Sequence, residues 1–259
     1  MSADEAFQPV KSAGRTLDVL ETLAASPRQW TLVDLARALD IPKSSLHGIL
    51  RTMVRRGWVA ADPTGTRFRL GLRALQVGAS YLDGDDAVSL ASAALDELSR
   101  LFGETVHLGR LDGPQIIYLA KRESVHPLRL YSAIGRRLPA HATALGKALL
   151  AALPDATVAA TLHLPLARFT PHTITDPAAL RAELAAIREV GYAVDHEENS
   201  EGITCFAMAV PLAVPATDAV SVSMPVARVA PDTEERVVAA LRRTVGGLGA
   251  ARGLVARTP

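Results

Sequence analysis

Residues 31–59 read TLVDLARALDIPKSSLHGILRTMVRRGWV, and this stretch decides the fold of the first part of the chain. Apolar residues recur at helical spacing before and after the break at 40–42, which predicts two short helices joined by a tight turn. The hydroxyl of Thr31 can cap the first helix, and Gly57 stands where a helix commonly stops. Two short helices joined in this way are typical of a helix-turn-helix.

The segments on either side extend this arrangement to a winged helix. Leucine spacing predicts an earlier helix over about 12–25. Short strands are predicted at 58–60 and 67–70, with the turn sequence DPTG at 62–65 between them. We therefore expect a β-hairpin that forms the wing.

Positive charge is concentrated in the same region. Residues 1–73 carry 11 Lys and Arg against 7 Asp and Glu, whereas the other 186 residues carry 17 against 20. Within 41–73, seven basic residues stand against one acid, Asp62. A dense positive segment on a near-neutral chain is expected of a nucleic-acid-binding end. The alternatives are a solvated basic face and a winged helix that binds another protein.

If the partner is DNA, the second helix of the pair would enter the major groove and the wing would meet the backbone. Residues at the start of that helix would contact base edges, and basic residues on the wing would contact phosphates. The residues predicted to bind double-stranded DNA are Lys43, Ser44, Ser45, His47, Arg51, Arg67 and Arg69.

Composition excludes several classes of protein. The chain has 259 residues, of which 49 % are hydrophobic, enough for two packed domains. One cysteine excludes an intrachain disulfide framework and a multi-cysteine metal site. The first residues, MSADEAFQPVK, are not typical of a signal peptide, and the longest uncharged stretch, 202–217, is too short to span a bilayer. We expect a cytoplasmic protein with neither a metal nor a cofactor.

The rest of the chain has the pattern of a helix followed by a mixed α/β domain. We assign a winged helix-turn-helix domain to 10–73, a linker helix to 74–86 and a second domain to 87–255. Strands are predicted at 105–111, 115–121, 128–133, 192–196, 204–212 and 219–224, with helices between and after them. Elements of this length suggest an antiparallel sheet with helices packed on its faces, an α+β fold.

No catalytic signature is present, but several polar groups lie within apolar elements. Ser221 and Ser223 are two apart on a predicted strand, so both point to the same face. Cys205 opens another strand, and the amides of a predicted helix start at 141–147 would suit an anion. Each group also has an ordinary interpretation, in which the serines satisfy backbone carbonyls and Cys205 is a small buried apolar residue.

Other polar groups give weaker signals. His141 is as well placed to fix a loop as to bind a ligand. Glu197 and Glu198 are interpreted as surface charge. A metal site made from Asp195, Cys205 and His141 has no ligand spacing to support it.

Three motifs extend the pattern beyond the winged helix: GRRLPAHATALGKALLA at 135–151, GYAVDHEENSEGITCFA at 191–207 and AVSVSMPVARV at 219–229. With SAGRTLDVLETLA, the 31–59 stretch and FRLGLRALQVG, they make the chain resemble the IclR (isocitrate lyase regulator) family of bacterial transcription factors over about 12–250. The resemblance implies a winged-helix domain, a linker helix and a GAF-like α/β domain. That domain would bind a small metabolite, often a carboxylate, without catalysis. The resemblance also implies a homodimer or homotetramer on a pseudo-palindromic operator.

Carried over position by position, the resemblance implies a set of effector-binding residues. The backbone of the ATALGKA turn and polar side chains would hold the ligand, and two leucines would form an apolar wall. The residues are Leu130, Leu138, Ala144, Leu145, Asp195, Cys205, Ser221 and Ser223.

The sequence departs from the family pattern at two places. Gly48 stands in the second helix where the family usually has an arginine, so base recognition would shift to its neighbours. Leu145 can narrow the effector pocket, which affects the acid that fits.

We therefore expect an effector-controlled DNA-binding regulator, specifically a repressor, that is not an enzyme. The alternative is a cysteine-dependent enzyme with an appended winged helix, in which Cys205 is the nucleophile and His141 the base.

Overall fold

A computed structural model describes residues 10–25, 28–128 and 132–251. The chain separates into two compact units, one ending at Gly84 and one beginning at Asp85. This division falls inside the 74–86 segment predicted to be a linker. Among the described residues, no helix combines the length and the apolar character needed to cross a membrane.

The first unit is a winged helix. In chain order its elements are α1 (Lys11–Ala25), β1 (Trp30–Thr31), α2 (Leu32–Ala38), α3 (Lys43–Arg55), β2 (Val59–Ala61), β3 (Arg67–Leu70) and α4 (Leu72–Asp83). The three strands form an antiparallel sheet in the order β1-β3-β2. Strand β1 was not predicted, because two residues are too few to show a period.

Local sequence explains how the helix pair begins and how it packs. Thr31 caps α2 as predicted, and Asp34 completes a reciprocal capping box with it. Leu35 of α2 and Leu46 and Leu50 of α3 are buried together in the core of this unit. By contrast, α4 has no buried residue.

The second unit alternates strands and helices. In chain order its elements are α5 (Asp86–Phe102), β4 (Thr105–Asp112), β5 (Gln115–Arg122), β6 (Arg137–Pro139), α6 (Ala144–Ala151), α7 (Asp155–Thr161), α8 (Pro177–Val190), β7 (Ala193–His196), β8 (Ile203–Val210), β9 (Asp218–Pro225) and α9 (Thr233–Ala251). Short 3-10 helices occupy Ala140–Ala142 and Val226–Arg228.

The strands of this unit form one antiparallel sheet in the order β6-β5-β4-β9-β8-β7. Every residue of the central strand β9 is buried, so both of its faces are covered. Helices α6 and α8 pack with Ala193, Ala207 and Ala219 of the sheet in one apolar cluster. Helices α5 and α9 contact each other and the sheet. The predicted α+β class, with a winged helix followed by a helix-covered antiparallel sheet, is confirmed.

The strand predicted at 128–133 is wrong in its described part. Residues 129–131 lie outside the described residues, and 128, 132 and 133 are not in a strand. The edge of β5 is instead occupied by the following segment, because the Gly135 amide donates to the Tyr118 carbonyl and the Tyr118 amide to the Arg136 carbonyl. A left-handed Gly135, with φ of 81°, lets the chain turn into β6.

Gly48 offers a direct test of the first unit. It lies in α3, and a Cβ at this position would meet nothing within 4 Å. We expect Gly48→Ala to raise the free energy of unfolding of this unit by about 1 kcal/mol, because glycine inside a helix is that much less favourable than alanine. Urea denaturation followed by tryptophan fluorescence measures this unit, since both tryptophans, Trp30 and Trp58, lie in it.

Gly71→Ala is the matched control. A Cβ at Gly71 would stand 2.2 Å from the Gly57 carbonyl oxygen, so this change should destabilise the unit by about 1–3 kcal/mol. A Gly48→Ala variant less stable than the parent would show that the helix is not formed as described.

Candidate functional site

The first candidate surface is the exposed side of α3 together with the wing. All seven side chains predicted to bind DNA are exposed. Arg67 and Arg69 are two apart on β3 and so share one face of the strand. Five of the seven are basic, namely Lys43, His47, Arg51, Arg67 and Arg69. None of these five forms an ion pair with another described residue. Their charges are therefore available to phosphates.

The single acid of the 41–73 region is used inside the wing. Asp62 Oδ1 accepts hydrogen bonds from the amides of Thr66 at 2.8 Å and Arg67 at 2.9 Å, and the Thr64 hydroxyl donates to Oδ2 at 2.7 Å. The bond from Thr64, followed by that from the Arg67 amide, lowers the pKa of Asp62. This carboxylate shapes the turn that carries Arg67 and Arg69.

The exposed surface of α3 is divided. Ser44, Ser45 and Gly48 line a groove of about 1040 Å³ against α1. His47 and Arg51, which are four residues apart and hence neighbours on the helix, do not line it. Ser44 and Ser45, which are predicted to contact base edges, therefore line the groove against α1 and are also exposed to solvent.

The second candidate site is a pocket at the sheet face beneath α6. Seven of the eight residues implied by the family resemblance line it, and the eighth, Leu130, lies outside the described residues. The lining residues are Tyr118, Leu138, Thr143, Ala144, Leu145, Asp195, Asn199, Ser200, Ile203, Cys205, Ser221 and Ser223.

Five of these residues were not predicted. Tyr118 could have been found from the two-residue period of its strand, and Thr143 from its position before a helix. Asn199 and Ser200 come from the turn between β7 and β8, and Ile203 is the first residue of β8; no local pattern there indicates a site.

Strand register brings the polar side chains of the pocket together. Asp195 of β7 is directly opposite Cys205 of β8, which is directly opposite Ser223 of β9. Directly opposed residues share one face of an antiparallel sheet. Ser221, two positions from Ser223, lies on that face too.

The start of α6 contributes hydrogen-bond donors. The Thr143 hydroxyl caps the helix by accepting from the Gly146 amide at 3.1 Å. The amides of Ala144 and Leu145 precede the first intrahelical hydrogen bond, so the helix itself gives them no acceptor. Amides at a helix N-terminus that lack an acceptor within the helix are able to bind an anion.

Close packing fixes the depth of the pocket. A Cβ at Gly109 of β4 would lie 2.9 Å from Cδ1 of Leu145, so the leucine side chain rests directly on the strand. The cavity that remains holds about 20 Å³, room for about one water molecule. A larger ligand therefore requires side chains at this point to move.

Burial controls the ionisation of Asp195. Its carboxyl is 3 % exposed, and Oδ1 accepts a hydrogen bond from the Glu198 amide at 2.7 Å. Burial raises the pKa of Asp195 to about 7, although the Glu198 amide opposes the shift. In the unfolded chain this carboxyl would lose its proton near pH 4, its ordinary pKa. The stabilising contribution of the protonated group is therefore fully present below about pH 4 and is lost as the pH rises through about 7.

Burial also keeps Cys205 uncharged. It raises the pKa of the thiol well above its usual range, more than the hydrogen bond with Ser223 lowers it. The side chain is therefore a neutral thiol in the wall of the pocket.

A buried ion pair supports the pocket from behind. Lys147 of α6 is fully buried, and its Nζ lies 2.5 Å from Glu198 Oε1 and 2.9 Å from Glu183 Oε1. Glu198 follows Asp195 in the turn after β7, and the hydroxyl of Thr173 donates to its carbonyl. The interpretation of Glu198 as surface charge is wrong, because its side chain is the buried partner of Lys147.

His141 fixes a loop. Its Nε2 lies 3.0 Å from the carbonyl oxygen of Ala167, and its ring is in contact with Phe169. It does not line the pocket that contains Cys205. Among the described residues, no group of three or more His, Cys, Asp and Glu could hold a metal ion.

Comparison with known proteins identifies the family. A model of the bacterial transcriptional regulator IclR C-terminal domain matches residues 79–248, and a model of the IclR helix-turn-helix domain matches 12–63. This chain belongs to the IclR family. It is therefore a DNA-binding transcriptional regulator with an effector-binding C-terminal domain, and the pocket lies within the part that matches that domain.

Individual relatives are similar in sequence to this chain over most of its length. The HTH-type transcriptional regulator XynR of Escherichia coli K12 is 38 % identical over 202 residues, 78 % of this chain and 80 % of XynR. Transcriptional repressor IclR of the same organism is 32 % identical over 237 residues, 88 % of this chain and 84 % of IclR. The crystal structure of an IclR homologue from Microbacterium hydrocarbonoxydans, complexed with 4-hydroxybenzoate, is 26 % identical with a TM-score of 0.79, covering 92 % of this chain and 98 % of that one.

The buried ion pair gives a stability prediction for this IclR-family chain. We expect Lys147→Met to lower the free energy of unfolding of the second unit by about 3–5 kcal/mol, because Glu198 is left as an unpaired buried charge. The double variant Lys147→Met/Glu198→Met should recover most of the loss. Urea denaturation followed by circular dichroism measures both.

Arg236→Ala is the control for an ion pair at the surface. Arg236 and its partner Asp232 are each more than half exposed, so its loss should change the free energy of unfolding by less than about 1 kcal/mol. A Lys147→Met variant as stable as Arg236→Ala would show that the buried pair does not hold the pocket together.

Proposed function

We propose that this chain is a repressor, without catalytic activity, whose operator binding is controlled by a small carboxylic acid in the pocket beneath α6. The observation that carries the proposal is the set of converging polar groups there. The amides of Ala144 and Leu145 and the hydroxyls of Ser221 and Ser223 can donate to an anion, and Asp195 stands at the opposite edge. The hydrogen-bond donors of the pocket are the reason for proposing an anionic ligand.

DNA binding is proposed to use the exposed residues of α3 and the wing. His47 and Arg51 are assigned to base edges, with Lys43, Ser44 and Ser45 at the start of the helix. Arg67 and Arg69 are assigned to phosphates, which fix position without reading sequence. The basic side chains among these residues form no ion pair with any described residue, which supports the assignment.

The proposed active species is a homodimer or homotetramer on a pseudo-palindromic operator. Two copies of the winged helix would read two half-sites separated by a whole number of helical turns. Helix α4 supports such an assembly, because Leu72, Leu75 and Tyr81 are exposed on it and would be covered by a partner.

The acid would act by favouring one arrangement of the oligomer over another. Only a ligand with different affinities for the two arrangements can shift their equilibrium. Repression is the proposed direction because the relative IclR of Escherichia coli, similar over most of the chain, is named a repressor. Measuring transcription from the operator with and without the chain decides between repression and activation.

The enzyme hypothesis has less support from the site. A cysteine nucleophile reacts as the thiolate, whereas burial keeps Cys205 neutral here. Its intended base, His141, is engaged with the Ala167 carbonyl.

Substitutions on the DNA side separate the two kinds of contact. We expect Arg69→Ala to weaken binding to all duplexes alike and to lower the slope of log affinity against log salt by roughly one, because one phosphate contact is lost. Arg51→Ala should instead reduce the preference for the operator over random duplex by about 1–3 kcal/mol. Fluorescence anisotropy at two salt concentrations measures both, with Arg236→Ala as the control. Equal losses on operator and random duplex in Arg51→Ala would overturn its assignment to bases.

The ionisation of Asp195 predicts how acid binding depends on pH. A carboxylate ligand should bind better when Asp195 is protonated, so the affinity should fall about tenfold between pH 6 and pH 8, on either side of its pKa of about 7. Asp195→Asn should remove this dependence. Isothermal titration with pyruvate, D-gluconate and 4-hydroxybenzoate as probes measures it.

Two results of that titration would argue against the proposal. The first is binding of an uncharged compound but of no acid, which would contradict the carboxylate assignment. The second is a pH dependence that persists in Asp195→Asn, which would show that another group controls it.

A further inference from the structure

Two polar atoms next to the pocket have no hydrogen-bond partner among the described residues. Thr105 Oγ1 and His107 Nδ1, both on β4, are buried and accept or donate no hydrogen bond to any described residue, and both side chains are fully buried. A buried polar atom without a partner is costly, and such atoms usually mark an ordered water or a ligand.

Strand register places these two side chains beside the pocket. Thr105 is directly opposite Ser223, and His107 is directly opposite Ser221. Both serines line the cavity, and directly opposed residues share one face of the sheet. The unpartnered atoms therefore belong to the face on which the cavity lies.

Tyr118 is the side chain between His107 and the cavity. Its ring lines the cavity and stacks on the His107 ring, with centroids 4.1 Å apart and planes 13° apart. Burial raises the pKa of Tyr118 well above its usual range. One layer of side chains thus separates the cavity from His107.

His107 is a neutral group suited to a hydroxyl. Its Nε2 lies 2.7 Å from the Ser132 hydroxyl. Burial, and secondly the charge of Lys121, lowers the pKa of His107 to about 3, so the ring carries no charge near neutral pH. Because Ser132 can donate or accept, Nδ1 can take either role toward a ligand.

We propose that the effector pocket continues across β9 onto β4, where Thr105 and His107 bind hydroxyl groups of the acid. This inference rests on the proposed function and specifies its ligand. The anion would lie at the amides of Ala144 and Leu145, and the neutral groups of Thr105 and His107 would bind hydroxyl groups of the same acid. Tyr118 and Leu145 would shift to admit the ligand.

The extent of the polar row indicates the size of the acid. Asp195, Cys205, Ser223 and Thr105 are in register on four neighbouring strands, which at about 4.8 Å per strand spans about 14 Å. A two- or three-carbon acid cannot reach both ends of this row. An acid that contacts both Asp195 and Thr105 must therefore be longer, and hydroxyl groups on several of its carbons would match the polar groups of the row.

The test compares two six-carbon acids, D-gluconate with hydroxyl groups and hexanoate without them, by isothermal titration of the full chain. We expect D-gluconate to bind at least about tenfold more tightly, the effect of one well-made polar contact. Thr105→Val and His107→Phe keep the shape of each side chain, and His107→Phe keeps a ring for Tyr118 to stack on. Each should lower D-gluconate affinity about tenfold and leave hexanoate affinity unchanged.

Thr244→Val is the matched control, because this buried hydroxyl already donates to the Ala240 carbonyl within α9. It should leave both affinities unchanged. Thermal denaturation confirms that each variant is folded. Thr105→Val removes only a hydroxyl that has no partner among the described residues, so it should not lower the melting temperature, whereas His107→Phe also removes the hydrogen bond between Nε2 and Ser132 and should lower it slightly.

The other outcomes of these titrations contradict this inference alone or both proposals. If both β4 variants bind D-gluconate as the parent does, the two atoms hold a fixed water only and the inference is overturned. Equal binding of the two acids to the parent also overturns it, and leaves the proposed carboxylate effector intact. Binding of neither acid, with binding of an uncharged compound, contradicts both proposals.

Discussion

The pocket depends above all on the register of the antiparallel sheet. Asp195, Cys205 and Ser223 stand opposite one another on three strands. A shift of one residue in any pair would turn one of these polar side chains to the opposite face, among apolar groups. Because β9 is buried on both faces, such a shift would also bury unpaired hydroxyls. The register that buries the apolar face of the sheet therefore also keeps these polar side chains on the pocket face.

The second constraint is the attachment of α6 to this sheet. Gly146 is required where the helix begins, since a Cβ there would stand 2.2 Å from the Ala140 carbonyl oxygen. One residue on, Lys147 carries a charge into the interior and ties the helix to Glu198, whose amide in turn holds Asp195. The helix start that is proposed to bind the anion is thus linked to the Asp195 carboxyl through one buried ion pair.

Much of the fold could be predicted from local sequence, because caps, periodicity and turns are local signals. Thr31 and the apolar spacing of α3 gave the helix pair, and the two-residue spacing of Ser221 and Ser223 placed them on one face. Glu198 was misjudged because its burial depends on Lys147, 51 residues earlier in the chain. His107 was missed because local sequence does not show that its Nδ1 lacks a partner among the described residues, which depends on neighbours from other elements. The strand expected at 128–133 has strand-like residues, but 135–139 takes the edge of β5.

Occupancy of the pocket is proposed to change the affinity of the chain for DNA. The most direct test is fluorescence anisotropy on the duplex upstream of the chain's own gene, at constant salt, with and without an acid that titration has shown to bind. The parent chain should change its DNA affinity at least about fivefold when the acid is added. Ser221→Ala/Ser223→Ala should keep the acid-free affinity and lose the response. An acid that binds without changing DNA affinity, or a response that survives in the double variant, would contradict the claim.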